Sequence, residues 1–210
     1  MATKYLVSTT RIEAFSDGVC AIVMTLLAFQ FKVPTFTPNV PIEQNFNELL
    51  EVSSNFISFV FSFIFVAVFW VNHHQLFHSI KEADRKLLWL NINLLFWITI
   101  IPFPTNMVGD HPFIPLPAIC LGVVLLMVSV SSYLVRQYSF KRATIAHENS
   151  AARIIKDGLT QNLVAIALNI TAIATAFISV KISHVIFLLV LIIFSIPHRS
   201  ELKHAKIKNI

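Results

Sequence analysis

Six long apolar runs, separated by short segments rich in proline or charged residues, dominate the chain. A helix needs about 20 residues to cross about 30 Å of hydrocarbon. The pattern therefore predicts transmembrane helices at residues 10–33, 46–78, 87–107, 115–136, 159–181 and 183–198. One long tilted helix is the alternative for the last two. Lys181 and His184 at its midpoint argue against it, because a charge at the bilayer centre costs about 2.5–3.5 kcal/mol.

Composition places the chain in the membrane. Of its 210 residues, 56% are hydrophobic and 13% are charged, with a mean hydropathy of +0.72. Four glycines and 19 phenylalanines are typical of packed helices, whereas a barrel needs alternating segments of about ten residues. The prediction is an all-α integral membrane protein. No cleavable signal peptide is expected, because the first apolar run contains Asp17 and lacks a small-residue cleavage pattern.

Lysine and arginine predict the orientation. Of 16 such residues, 14 lie in the amino terminus, the second–third loop, the fourth–fifth loop and the carboxyl tail. Because cytoplasmic loops are enriched in these residues, we expect one six-span unit over residues 1–210 with both termini in the cytoplasm. The net charge of +5 is then a topology signal and does not indicate a nucleic-acid partner. Residues 141–158 are predicted to form a cytoplasmic amphipathic helix.

The first helix has two different faces. At 100° per residue, one stripe contains Phe15, Gly18, Ile22, Leu26 and Phe29, with Thr25 at its edge. Glu13, Ser16 and Asp17 lie on roughly the opposite side, near the cytoplasmic end. The stripe fits two interpretations, ordinary core packing or the lining of a pore.

Asp17 requires a partner, because an unpaired carboxylate in an apolar helix is too costly to keep. The candidates lie at the cytoplasmic ends of the first three helices: Arg11, Trp70, Asn72, His73, His74, Asn91 and Asn93. Two roles fit such an aspartate. It either anchors the helix bundle, which we favour, or titrates and moves ions.

The remaining chemistry-bearing residues do not form a recognisable metal or catalytic motif. His74 and His78 have an i, i+4 spacing beside His73, but no H-E-x-x-H motif is present. We expect hydrogen bonding or interfacial placement for these histidines, and no metal or other cofactor. Cys20 and Cys120 are expected to be buried thiols.

Three segments together resemble a known family. "RIEAFSDGVCAIVMTLL" contains an R-x-x-x-F-S-D pattern filled by Arg11, Phe15, Ser16 and Asp17. "FWVNHHQLF" ends the second helix and "NLLFWITIIPFPT" lies in the third. These segments resemble the transmembrane protein 175 family, the endosomal and lysosomal potassium channels and their prokaryotic relatives.

The resemblance implies a potassium-selective, leak-type channel whose pore is lined by the first helix of each six-span unit. One unit per chain implies a homotetramer in a prokaryotic cell membrane, surrounded by lipid, with K⁺ as the permeant ion. Ile22 matches the family's narrow apolar ring, Thr25 the threonine linked to selectivity, and Leu26 and Phe29 the further apolar positions. Relatives usually carry leucine at the position of Phe29 and often an acid at that of Gln30. The signature residues Arg11, Phe15, Ser16 and Asp17 are similar to a structural network that includes Trp70, His73, His74 and Asn91.

Such a pore differs from one with a TVGYG filter, a sequence that is absent here. Carbonyls inside a continuous helix are already bonded to amides four residues on, so they are not free to replace an ion's water. Four Thr25 hydroxyls form the polar ring that the stripe offers, and Ile22 and Phe29 form apolar rings that gate by dewetting.

Two other classes of function remain open. One is a proton-coupled carrier that uses Asp17 and the histidines. The other is a non-transporting scaffold or an enzyme, although no G-x-S-x-G motif or paired carboxylates support an enzyme.

Overall fold

The computed structural model of the protein describes residues 6–29, 34, 38–80, 82–145 and 149–196, and most of these are helical. The elements are β1 Leu6–Ser8, α1 Thr9–Ala28, α2 Ile42–Glu51, α3 Ser53–His78, β2 Glu82–Asp84, α4 Arg85–Ile100, α5 Pro102–Asp110, α6 Pro115–Ile145, α7 Asn149–Ala176 and α8 Val180–Ser195. Helices α2 and α3 follow one another almost without interruption, and so do α4 and α5. The described residues therefore form a bundle of six long helical segments.

Proline accounts for the break in the predicted third helix. Pro102 and Pro104 have no N–H to donate to the preceding turn. The Ile101 N–H donates instead to the carbonyl of Ile98, three residues back, at 3.1 Å. The helix predicted at 87–107 is consequently two helices, α4 and α5, which meet at Ile101.

Among the described residues, four helical stretches are long and apolar enough to cross a membrane: Ile42–His78, Arg85–Asp110, Pro115–Arg142 and Ile155–Ala176. Helix α8 is apolar but has only 16 residues, about 24 Å. Helix α1 has 20 residues and carries Arg11, Glu13 and Asp17 in its first half. The architecture is that of an all-α membrane protein.

The prediction of a separate amphipathic helix at residues 141–158 was wrong. Helix α6 continues to Ile145 and α7 begins at Asn149, so most of this loop belongs to the ends of two long helices. Residues 146–148, and residues 30–33 at the end of the predicted first helix, lie outside the described residues. Arg136, the last residue of the predicted fourth helix, is buried inside α6 with only 3% of its surface exposed.

A two-stranded antiparallel ribbon was not predicted. Its register pairs Leu6 with Asp84, Val7 with Ala83, and Ser8 with Glu82. The ribbon brings the chain's amino-terminal strand beside the second–third loop, so both lie at one end of the bundle. The charge distribution assigns these two segments to the same side of the membrane.

Asp84 connects this ribbon to two helices. Its carboxylate caps α4 by accepting the Leu87 N–H at 3.0 Å. It also accepts a hydrogen bond from the Tyr138 hydroxyl and lies 3.4 Å from the Arg142 guanidinium. Both of these residues are on α6. A side-chain acceptor at a helix N-cap typically stabilises the helix by about 1 kcal/mol.

The core joins α1 to the bundle through one face. Helix α1 buries apolar side chains against α3 and α4, namely Ile12, Cys20, Val23 and Leu27. Helices α6, α7 and α8 pack together on the other side of α3 and α4. Because only one face of α1 is buried, its other face is not covered by the described residues.

A buried arginine holds the two parts of the bundle together. Arg136 of α6 crosses α7 at Gly158 and donates from Nη2 to the carbonyl oxygen of Asn72 in α3, at 3.2 Å. The Asn72 side chain donates in turn to the carbonyl oxygens of Val68 and Phe194, each at 2.9 Å. Four helices thus meet at one polar junction.

The substitution Gly158→Ala tests this junction. A Cβ at residue 158 would lie 2.2 Å from Nη1 and 2.6 Å from Cζ of Arg136, so the guanidinium must move and its bond to Asn72 is lost. We expect a loss of about 1–3 kcal/mol in stability, as for other overpacked sites. The measurement is the thermal stability of the detergent-purified protein.

Gly18→Ala is the matched control, because a Cβ at residue 18 meets no atom of the chain within 4 Å. Equal stability of the two variants would contradict the role assigned to Gly158.

Candidate functional site: the exposed face of the first helix and its polar anchor

The predicted stripe of α1 is exposed. Phe15, Ile22, Leu26 and Phe29 show 59%, 60%, 47% and 84% of their surfaces. Gly18 and Thr25 are exposed as well. We call this set, Phe15, Gly18, Ile22, Thr25, Leu26 and Phe29, the open stripe. Its members do not belong to the chain's own core, which contains the opposite face of α1.

Thr25 has a defined hydrogen-bond role on the open stripe. Its hydroxyl donates to the carbonyl oxygen of Ile22, three residues earlier, at 2.7 Å. A carbonyl only accepts, so the threonine proton is directed back along the helix. The lone pairs of Oγ1 remain available, and the exposed side chain presents an acceptor.

The buried face of α1 carries a directional chain of hydrogen bonds. Ser16 donates to the Ile12 carbonyl oxygen at 2.8 Å and accepts from Nδ2 of Asn91 at 3.0 Å. The oxygen of Asn91 accepts from Nε2 of His73 at 2.7 Å, which requires that the proton is on that nitrogen. We call Ser16, His73 and Asn91 the polar anchor. It joins α1, α3 and α4, and all three side chains are buried.

Aromatic rings enclose the polar anchor. The imidazole of His73 stacks on Phe77 with ring centroids 4.5 Å apart, and Phe69 lies 5.7 Å away on the other side. Each of these three residues is buried. Hydrogen bonds in such a dry environment are strong, and an unpaired partner there is costly.

Asp17 contacts the next helix on a more exposed side. Its Oδ1 accepts from Nε1 of Trp70 at 2.7 Å. The indole stacks on His74 at 5.9 Å, and His74 stacks on His78 at 6.3 Å. These rings form a column along the end of α3.

The set of candidate partners predicted for Asp17 was partly right. Trp70 is the partner, whereas Asn91 donates to Ser16 and His73 donates to Asn91. Asn72 contributes to the Arg136 junction, and Asn93 donates to Ser131 at 2.8 Å. Arg11 is exposed, and the structure shows no ion pair between it and Asp17 among the described side chains.

Arg136 was not among the predicted structural residues. A signal was available, since it follows the run "SVSSYLV" within one continuous helical pattern. A charge in that position requires a partner inside the protein.

The histidine pair with metal-ligand spacing lacks a third ligand in the described part of the chain. Over those residues, no group of three His, Cys, Asp or Glu side chains lies close enough to hold a metal ion. Cys20 is a buried free thiol and Cys120 is a half-buried one.

Known proteins are similar to this chain in sequence and in fold. Residues 11–102 match the family model described as endosomal/lysosomal potassium channel TMEM175. A potassium channel of Chryseobacterium sp. (strain P1-3) is 30% identical over 196 residues, covering 93% of this chain and 97% of the relative.

Two solved structures share the fold. The crystal structure of a lysosomal potassium-selective channel TMEM175 homolog from Chamaesiphon minutus superposes with a TM-score of 0.76 at 30% identity, covering 89% of this chain and 96% of that one. A variant of the potassium channel MtTMEM175 superposes with a TM-score of 0.65 at 18% identity, covering 92% and 94%. This chain therefore belongs to the TMEM175 family, as a multi-pass membrane protein of its prokaryotic branch.

Proposed function

We propose that the protein is a potassium-selective leak channel in which four copies of α1 line a central pore. The observation that supports this most directly is the open stripe, a helix face that the described part of the chain leaves exposed. The Chryseobacterium relative is named a potassium channel, and the Chamaesiphon homolog is described as potassium-selective. A permeant K⁺ ion is the only ligand that the proposal requires, and no step involves a reacting group or a bound metal.

Rotational symmetry gives the open stripe its function in this proposal. In a closed ring of identical subunits, each residue of α1 recurs at one height around the axis. Ile22 then forms an apolar ring, Thr25 a ring of oxygen acceptors, and Leu26 and Phe29 wider apolar rings beyond it. An apolar ring of this kind blocks ions when it is narrow, because water leaves it.

Selectivity in this pore depends on few ligands. Since Thr25 directs its proton to Ile22, each subunit offers a cation an oxygen lone pair and no hydrogen. Four such oxygens are fewer than the carbonyls of a TVGYG filter and are less rigidly held. We therefore expect only a modest preference for K⁺ over Na⁺.

Asp17 acts as an anchor in this proposal. Its hydrogen bond to Trp70 links α1 to α3 on the side away from Ile22, which favours a structural role over an ion-carrying one.

A proton-coupled carrier would instead show slow, saturable flux. The decisive experiment is reconstitution into liposomes, with reversal potentials measured in opposed K⁺ and Na⁺ gradients and with a pH gradient. Unitary currents whose reversal potential is shifted from zero toward the K⁺ equilibrium potential are expected, and saturable proton-coupled flux would contradict the channel.

Ile22→Asn tests the apolar ring. An amide at this position holds water in the constriction, so we expect a severalfold larger K⁺ current and weaker closure. The control is Ile170→Asn on α7, which makes the same change at a side chain that is 53% exposed. An unchanged current in the Ile22 variant would remove α1 from the pore.

Thr25→Val tests the oxygen ring at nearly constant volume. Loss of four acceptors should bring the K⁺/Na⁺ permeability ratio close to one, as measured by bi-ionic reversal potentials. Thr99→Val on α4 is the matched control, since Thr99 is exposed and its hydroxyl also donates three residues back at 2.7 Å. If both variants kept the wild-type ratio, selectivity would lie elsewhere.

Ser16→Ala tests the polar anchor. The change leaves Nδ2 of Asn91 without its acceptor in a buried site, which costs about 1–3 kcal/mol. Ser139→Ala is the control, because Ser139 is equally buried and donates to its own helix at 2.8 Å. We expect a lower melting temperature for the Ser16 variant than for the control, and equal values would argue against an anchor.

A further inference from the structure

We propose that a second site, a cavity of about 490 Å³ between α3, α5, α6 and α8, binds one acyl chain of a membrane phospholipid. Its volume lies within the range of about 300–1,000 Å³ that is typical of ligand sites. Helix α1 contributes no lining residue, so the site is separate from the open stripe and does not depend on the channel proposal.

The floor of the cavity suits a hydrocarbon chain. It is formed by buried side chains that include Leu121 and Phe187. The hydroxyls of Ser62 and Thr105 also reach the floor, but they are already paired. Ser62 lies 2.7 Å from Thr105, and Thr105 donates to the Ile101 carbonyl oxygen at 2.8 Å. Satisfied hydroxyls do not demand a polar ligand.

One wall carries an unsatisfied polar atom. Nε2 of His184 is buried and has no hydrogen-bond partner among the described residues. A buried polar group without a partner is costly, so an oxygen acceptor or a polar hydrogen at this point would stabilise the protein. An ester oxygen of a phospholipid supplies such an acceptor for an Nε2–H.

The depth of the cavity in the membrane favours a phospholipid as its ligand. Most of the lining residues lie toward the helix ends that the charge distribution places on the outer side. Exposed rim residues, Ile57 on α3 and Leu188 on α8, face the hydrocarbon. Lys181 lies three residues before His184, about 4.5 Å closer to the helix start.

Lys181 supplies the charge for the head group. It is exposed, and its Nζ lies 5.8 Å from the ring centre of Phe113, which also lines the cavity. The order from water to membrane is therefore a cation, a half-buried imidazole and an apolar floor. A phospholipid presents a phosphate, an ester and an acyl chain in that same order.

The test uses native mass spectrometry of the purified full-length protein with dipalmitoyl phosphatidylglycerol as the probe, and palmitic acid in a parallel arm. The wild type should retain one phosphatidylglycerol per chain. Ser58→Phe fills the cavity from α3 and should abolish retention. His184→Phe keeps the ring but loses Nε2, and should weaken binding about tenfold, the usual effect of one such hydrogen bond.

Val185→Phe is the matched control, because it adds an aromatic ring on the exposed side of α8 next to His184. Its retention of lipid should equal that of the wild type. Lack of retention by the wild type, equal retention by Ser58→Phe, or binding of palmitic acid alone would each overturn the proposal. Dissociation of the oligomer by Ser58→Phe would also overturn it, since a second copy of the chain would then occupy the cavity.

Discussion

The rotation of α1 about its own axis is the constraint on which the rest of the structure depends. Hydrophobicity alone does not set it, because Val23 and Leu27 on the buried face are as apolar as Ile22 and Leu26 on the exposed one. The polar anchor sets it instead. Turning the helix by one residue would bury Asp17 in place of Ser16 and would separate Asn91 from its acceptor. A buried unpaired carboxylate is far more costly than the exchange of one apolar face for another.

Sequence patterns predicted the features that depend on hydrocarbon contact. Long apolar runs located the helices, and the periodicity of α1 separated Ile22 from Ser16. The patterns failed where helices leave the hydrocarbon. Helix α6 continues to Ile145 because backbone hydrogen bonds do not require apolar side chains, and contacts such as Tyr138 with Asp84 hold its last turns. Apolarity marks the part of a helix that lies in lipid, whereas its ends are set by partners that are remote in sequence.

The partners inside the site were less predictable for a related reason. A carboxylate at position 17 and an indole at position 70 were both visible, and they do meet. The pairing of His73 with Asn91, and of Asn91 with Ser16, depends on the angle at which α3 and α4 cross α1. Arg136 shows the same limit. Its buried position was not predicted, because it depends on a glycine of the neighbouring α7 that makes room for the guanidinium. Crossing geometry is a tertiary property, and no single helix encodes it.

The same hydrogen-bond logic connects the two faces of α1. On the buried face, Ser16 both donates to its own helix and accepts from a neighbour, and this dual role fixes the helix in place. On the open face, Thr25 donates to its own helix in a similar way, and no described residue donates to its lone pairs. In the proposed tetramer, those lone pairs are available to an ion. An oxygen whose proton is already committed attracts cations and repels anions. A hydroxyl whose proton remained free to rotate would discriminate less between them. In this proposal, charge selectivity therefore depends on a hydrogen bond within one turn of α1, and the apolar rings around it determine whether ions can reach that oxygen.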